Sequence, residues 1–389
     1  MQQLERTPVI QTGLLERVEQ ARSIVPRALF IVGEDRSASW QWRVAWPTEF
    51  LSNRGFVADW CLTQNAPTML GFIGDGRYNM VVTPRIHWPN DRMADEWAKL
   101  VHDAGLAWLY EVDDDGWAPD IARRQAKLIM DEWKKGEYQL EQDREHRIKI
   151  IQTCDAVILS SEYLASVAAQ YTDKPAYCIP NFIHRGFFEH RVKTSKRMVP
   201  PLTVGWSGGL REDRDLATVA EAWTRVAARY PDVTFVVHGT RPPILLDAVA
   251  PDRVVTLPWT ALPDYPRALM NLDIACCSVS PDDEFNESKT PIKWFEASLT
   301  GAACVVSHSL YGRYVHDGQD ALVASTVDEW EHALSRLVES KSLRRRLTAN
   351  AKRTVREHHS LEEQWVRWIE VMAQVLVDRQ QKAQLHAVA

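Results

Sequence analysis

Twelve short apolar runs, alternating with helical stretches along 389 residues, predict an α/β protein of two successive domains. Each run is brief and ends in turn residues, and the stretches between runs can hold crossover helices. The chain also exceeds the length that one hydrophobic core normally serves. In the first half the predicted strands are ALFIVG (28–33), FVADWCL (56–62), MVVTPRI (80–86), LAWLYEV (106–112), AVILSS (156–161) and AYCIPN (176–181). In the second half they are LTVGWSG (202–208), TFVVHG (234–239), VVTLP (254–258), IACCSVS (274–280), ACVVSHS (303–309) and ALVAS (321–325). Residues 190–201, HRVKTSKRMVPP, are basic, lack apolar periodicity and end in a proline pair, so they read as the linker. Residues 120–150 read as a charged surface helix, and the stretch from Val327 to about Gln380 as the closing helices.

Composition sets the class. Hydrophobic residues at 45% and charged residues at 25% are ordinary globular values, which excludes general disorder. A formal net charge of −6 argues against a dedicated nucleic-acid binder, which needs a strong basic face. The six cysteines mostly sit in apolar strand-like runs without metal-ligand spacing, so buried reduced thiols are expected. The polar N-terminus lacks an apolar signal core, and no apolar run reaches the ~18 residues of a membrane span. Together these features predict a cytoplasmic protein with at most peripheral membrane contact. Sixteen tryptophans are unusual; most are expected in the core, and one or two, from a group including Trp40, Trp42, Trp46, Trp88 and Trp117, could line an acceptor cleft.

The segment from Phe285 to Glu296, FNESKTPIKWFE, carries the most chemistry. Lys289 and Lys293 stand at the mouth of a predicted helix that leads into an apolar strand. A helix N-terminus offers free N–H groups and a positive dipole, and lysines there add countercharge for a diphosphate. Glu296 follows one turn later and can accept hydrogen bonds from hydroxyls. An anionic, hydroxyl-rich ligand is therefore expected, bound at the carboxyl ends of the strands.

This segment, continued as ASLTGAACVVS, resembles the nucleotide-sugar site of GT-B glycosyltransferases of the family-four, group 1 type, whose members carry a "KSPIKxxEyxaxGxPVVaS" signature. In that family the glutamate holds the donor ribose, so the resemblance implies this role for Glu296, with Ser288, Thr290, Pro291 and Ile292 on the donor as well. The chain departs from the commoner form with two glutamates eight residues apart, because Ser288 stands eight before Glu296 and Glu287 one place earlier. The fold implied is a pair of Rossmann-like domains facing each other across a cleft, with the last helix crossing back to the first. The corresponding boundaries are 1–195 on the acceptor side, 196–370 for the nucleotide sugar and 371–389 for the returning tail.

Further segments extend the likeness over nearly the whole chain. Residues 204–216, VGWSGGLREDRDL, place Gly208 and Gly209 at a strand end before a helix, where backbone N–H groups can approach phosphate and Arg211 and Arg214 can grip it. They look like the family's first loop of the nucleotide domain, in which an arginine and a lysine neutralise the leaving diphosphate; here arginine fills both places and Lys289 takes the lysine role. Residues 155–164 and 179–183 resemble its "aDaVivsSeyl" and "iPNgvd" segments, which puts Asn181 on the donor side. Residues 54–60 resemble its "rGheV" strand.

Leu109 to Asp115, LYEVDDD, is a strand running into carboxylates. One reading is the metal-binding DxD of the GT-A type; the other is the "YExDD" strand end of some GT-B members, facing the acceptor. The GT-B reading accounts for the second half of the chain too. It assigns Glu111, Asp113 and Asp114 to the acceptor side, with Arg85 and His87 at the end of the third strand, and requires neither metal nor cofactor. The expected activity is transfer of a hexose-like sugar, with retention, from a nucleoside diphosphate sugar to a glycan, lipid, protein or small-molecule acceptor. A catalytically silent sugar-nucleotide or glycan binder, and a DNA-base glucosyltransferase disfavoured by the acidic balance, are the alternatives.

Overall fold

The computed structural model describes residues 25–33, 38–65, 76–85, 91–117, 137–200, 202–209, 213–239, 249–281 and 284–388. They fall into two compact units. Of the described residues, unit 1 holds those up to 117, those of 137–179 and those of 365–388, and unit 2 holds those of 180–364. Where the sequence suggested a division at 195/196, the chain passes from one unit to the other at 179/180, and it leaves unit 2 at 364/365 rather than 370/371.

Unit 1 is built on β1 (Arg27–Val32), β2 (Val57–Leu62), β3 (Met80–Pro84), β4 (Ala107–Val112), β5 (Ala156–Leu159) and β6 (Ala176–Cys178). They form one parallel sheet in the order β2-β1-β3-β4-β5-β6. All six residues of β4 are buried, as expected of a parallel strand covered on both faces. Helices α1 (Trp46–Ser52), α2 (Asp91–Asp103), α3 (Glu137–Thr153) and α4 (Glu162–Ala168) belong to this unit. One core joins Trp97 and Val101 of α2 and Ile150 and Ile151 of α3 to Trp108 and Tyr110 of β4. Residues 118–136, most of the stretch read as a surface helix, lie outside the described residues.

Unit 2 repeats the plan with β7 (Thr203–Gly208), β8 (Thr234–Gly239), β9 (Val254–Leu257), β10 (Ile274–Cys277), β11 (Ala303–Ser307) and β12 (Leu322–Ala324). The order β12-β11-β10-β7-β8-β9 is the doubly wound Rossmann arrangement, and every pair is parallel. Its helices are α5 (Arg185–Thr194), α6 (Asp213–Arg229), α7 (Ile292–Thr300), α8 (Val327–Glu339) and α9 (Lys341–His358). Trp223 of α6 and Trp330 and Leu334 of α8 are fully buried in one core with Phe235 of β8. Each aliphatic or phenyl side chain so buried contributes roughly 1.5–3 kcal/mol. Gly205 is needed at the sheet centre, since a Cβ there would meet Leu272 Cδ2 at 2.2 Å and Val236 O at 2.8 Å.

The basic stretch read as a linker is part of this unit. Its first half forms the end of α5. Beyond it, Arg197 makes a bidentate ion pair with Asp273, Nη1–Oδ1 at 2.9 Å and Nη2–Oδ2 at 2.7 Å, and Asn271 Oδ1 accepts from the Met198 and Val199 amides. A fixed guanidinium fork and two capped amides hold this segment against β10, so low hydrophobicity here marked a polar anchor rather than a free tether. The last helix, α10 (Val366–Val388), is in unit 1. Its Trp368 meets Phe30 edge-on at 5.8 Å between ring centroids, and Tyr177 donates to Asp378 at 2.8 Å.

Candidate functional site

In unit 2 the strand order reverses between β7 and β10, the switch point at which open α/β sheets bind ligands. β7 ends in Gly208, paired with Gly239 at the end of β8, and Gly209 follows. Gly239, at φ +101°, passes so close to Gly208 that an added Cβ would lie 2.0 Å from its carbonyl oxygen. Only glycine fits there. The α6 N-terminus follows, with Arg214 exposed and Asp215 buried. Asp215 Oδ1 accepts from the Ser280 amide at 2.8 Å, which ties this helix to the loop after β10. Its Oδ2 lies 3.9 Å from Lys289 Nζ, so the ammonium is held between α6 and the loop that leads to α7, with Phe285 5.2 Å away as a ring partner. The α6 N-terminus and a positioned lysine thus stand together shortly after the glycine turn, a setting that favours phosphate.

Behind it lies a polar chain. Tyr265 donates to Glu296 Oε2 at 2.9 Å and stands 3.2 Å from Ser207 Oγ. Ser207 Oγ meets His238 Nδ1 at 2.9 Å, and His238 Nε2 meets Thr260 Oγ1 at 2.9 Å. Burial pushes the His238 imidazole down to about 4, so the ring is neutral at physiological pH. Glu296 is 5% exposed and borders a small cavity together with Ser207, Tyr265 and Lys293. On the other side of His238, Trp259 stacks at an interplanar angle of 23° and is 69% exposed. Gly209 and Gly239 lie beside this indole.

The other expected donor residues divide. Lys293 turns its Nζ over the Trp206 ring, 4.7 Å from the centroid, rather than to the helix mouth. A cation over an indole is stabilised by the ring quadrupole. Ser288 is fully buried and donates to the Phe285 carbonyl at 2.7 Å, so it shapes the turn before α7. Asn181 Nδ2 donates to Thr290 Oγ1 at 2.7 Å, and both side chains are buried. Pro291 is the N-cap of α7 and Ile292 its first residue. These five hold the loop and helix that carry Lys289 and Glu296. Arg211 lies outside the described residues. Sequence reasoning missed Ser207, His238, Trp259, Thr260 and Tyr265; the available signal was that the first four stand at or just beyond the end of a strand, while Tyr265 opens a short helix.

In unit 1 the corresponding switch point lies between β1 and β3. Arg85, directly after β3, spans it with Nη1 3.2 Å from Ser39 Oγ, 3.0 Å from Asp113 Oδ1 and 3.2 Å from Asp114 Oδ2. The Asp113 charge, followed by that of Asp114, raises the pKa of this half-exposed guanidinium. Its backbone sits at φ +47°, a left-handed value uncommon for arginine. Glu111 belongs elsewhere. It is 0% exposed and receives Arg43 Nε at 2.6 Å, while Arg43 Nη1 donates to the Ile179 carbonyl at 2.8 Å. Burial, opposed by Arg43, pushes the Glu111 carboxyl up to about 7. The expectation that Glu111 meets an acceptor with Asp113 is therefore corrected: it faces inward and ties β4 to the helix carrying Arg43. His87 lies outside the described residues.

Comparison with solved structures returns the same architecture. Sucrose-phosphate synthase from Thermosynechococcus elongatus is 13% identical, with 93% of this chain and 100% of that one covered at a TM-score of 0.57. HepE from Anabaena, solved with UDP, is 12% identical with the same coverage and TM-score. A glycosyltransferase from Rickettsia africae is 11% identical, covering 90% of this chain and 99% of that one at 0.64. The chain has the GT-B glycosyltransferase fold. Residues 211–370, which include Lys289 and Glu296, match the family model described as glycosyl transferase-like. The matched residues include the FNESK segment on which the group 1 resemblance was read. No curated protein matches the chain in sequence.

Proposed function

We propose that the chain transfers a hexose-like sugar from a nucleoside diphosphate sugar to an acceptor, with retention of configuration and without a metal ion. The observation that carries this reading is the hydroxyl-tethered Glu296 on the helix that follows Lys289, set at the switch point of unit 2. In this role Glu296 accepts the ribose hydroxyls, and the Gly208 and Gly209 backbone receives the diphosphate. Trp259 offers its exposed face to the base. Lys289 and Arg214, with Arg211 and the more distant Lys293, offset the charge that builds as the anomeric carbon leaves the diphosphate oxygen. The acceptor oxygen bonds to that carbon and its proton departs on the diphosphate. Arg85, Asp113, Asp114 and His87 receive the acceptor. The six unpaired thiols suit a reducing compartment such as the cytoplasm, and among the described residues no helix is long and apolar enough to cross a membrane.

The test is calorimetry and thermal shift with UDP, GDP, TDP and CDP and their sugar conjugates, with and without EDTA. Binding of one nucleotide that survives EDTA and disappears in Lys289→Ala supports the reading and names the donor. No binding by any of them overturns it, and EDTA-sensitive binding overturns its metal-independence.

A further inference from the structure

One cavity lies in unit 1. It is an open groove of about 650 Å³ at the edge strand β2, within the size range of small-ligand sites. Trp40 and Trp60 line it, edge to face at 5.1 Å between ring centroids and 74° between planes. Trp60 is 37% exposed on an edge strand, a position where a bare indole invites adhesion unless a ligand uses it.

Asp59, a preset carboxylate, lines the groove with the two indoles. Arg77 Nε at 3.1 Å, Arg77 Nη2 at 2.7 Å and the Tyr78 hydroxyl at 2.7 Å all donate to Asp59 Oδ2. Oδ1 receives none of the three. Burial raises the pKa of the Tyr78 phenol, with the Asp59 contact second, which keeps it a donor and keeps Asp59 fixed. The exposed Glu49 adds a second carboxylate. The formal charges of Glu49, Asp59 and Arg77 sum to one negative, so a phosphate-rich ligand is repelled. A flat apolar ring face beside fixed carboxylate acceptors suits a pyranose, which presents C–H groups on one face and hydroxyls around its rim. The groove also adjoins the acceptor-side cluster: Arg85 contacts Ser39, the residue before Trp40.

We propose that this groove is a saccharide subsite, and that the acceptor is a glycan whose neutral pyranose rests on Trp60 with its hydroxyls on Asp59 and Glu49. The acceptor part of this inference rests on the transferase reading above; binding of saccharide by the groove does not.

The experiment titrates the full chain with maltotetraose, cellotetraose, chitotetraose and mannotetraose by calorimetry and tryptophan fluorescence, alongside a nucleotide titration. The expected result is binding of one tetrasaccharide with a Kd of about 1 mM or tighter, weakened about tenfold in Trp60→Ala and again in Asp59→Asn, with nucleotide binding unchanged. Lys289→Ala should leave saccharide binding intact. Glu49→Gln, at an exposed position, serves as the second variant if Trp60→Ala lowers the thermal transition. Absence of binding by all four sugars overturns the inference, as does binding that ignores all three substitutions. A dimer that dissociates in Trp60→Ala overturns it too, by making the groove an edge-strand interface. Nucleotide binding without saccharide binding sinks this inference alone, whereas saccharide binding without nucleotide binding sinks the donor reading alone.

Discussion

Two glutamates near the carboxyl ends of the two sheets have taken opposite parts. Glu296 in unit 2 is held by a phenol hydroxyl and borders a cavity; Glu111 in unit 1 is sealed against a guanidinium with no exposed surface. A hydroxyl tether orients a carboxylate without neutralising it by a counter-ion. An arginine fork supplies that counter-ion within the fold and turns the carboxylate into a brace. A glutamate at a strand end is thus an acceptor or a girder according to its partner, and only the partner tells which.

The largest expected effects break this contrast from each side. Glu296→Ala should weaken nucleotide-sugar binding by about a hundredfold or more, because each hydrogen bond to a charged group is worth about 1.5–3 kcal/mol and a ribose offers two. Its thermal transition should move little, as checked by calorimetry on the same sample. Glu111→Ala should do the reverse. It leaves Arg43 buried without its counter-ion, which costs about 3–5 kcal/mol of stability, whereas the double change Arg43→Met with Glu111→Leu should recover most of that loss. Denaturant melts of the single and double variants decide it. If the double variant is no more stable than the single ones, Glu111 is more than a brace.

Next in size is Gly239→Ala. The left-handed backbone and the contact with the Gly208 carbonyl should cost about 1–3 kcal/mol and displace the turn proposed to receive the diphosphate. Nucleotide affinity and melting temperature should fall together, unlike in Glu296→Ala. Trp259→Ala should be milder, lowering nucleotide affinity by the roughly 1–3 kcal/mol of one base stack while keeping the fold. An unchanged affinity would remove Trp259 from the site.

All twelve strands were legible in the sequence, the central ones because parallel strands buried on both faces are written as unbroken apolar runs such as IACC and ACVVS. The helix that carries Glu296, and the loop before it that carries Lys289, were legible from the apolar strand run that follows them. What could not be read was partnership across long separations. Arg43 and Glu111 are 68 residues apart, and Tyr265 and Glu296 are 31 apart, so neither pair leaves a local spacing. The same holds for Arg197, whose partner Asp273 turned an apparent linker into an anchored segment. Asn181, Ser288 and Thr290 resembled ligand contacts, yet Asn181 donates to Thr290 and Ser288 to the Phe285 carbonyl of its own loop.

The smallest effect is in pH, and there the two glutamate settings separate again. The Glu111 carboxyl is raised to about 7 in the fold from about 4.5, so between those values the folded chain binds more protons than the unfolded one. Its stabilisation is full below about 4.5 and is lost as pH rises through 7. His238, lowered to about 4 from 6.5, acts oppositely, its share being full above 6.5 and lost as pH falls through 4. Melting temperature measured from pH 4 to 8 should therefore flatten on opposite sides in the two variants: Glu111→Gln should remove a decline toward pH 7, and His238→Gln a decline toward pH 4. Identical pH curves for wild type and His238→Gln would mean that the imidazole titrates like an ordinary surface histidine. The Ser207–His238–Thr260 chain behind Glu296 would then be open to water rather than a dry support for the donor carboxylate.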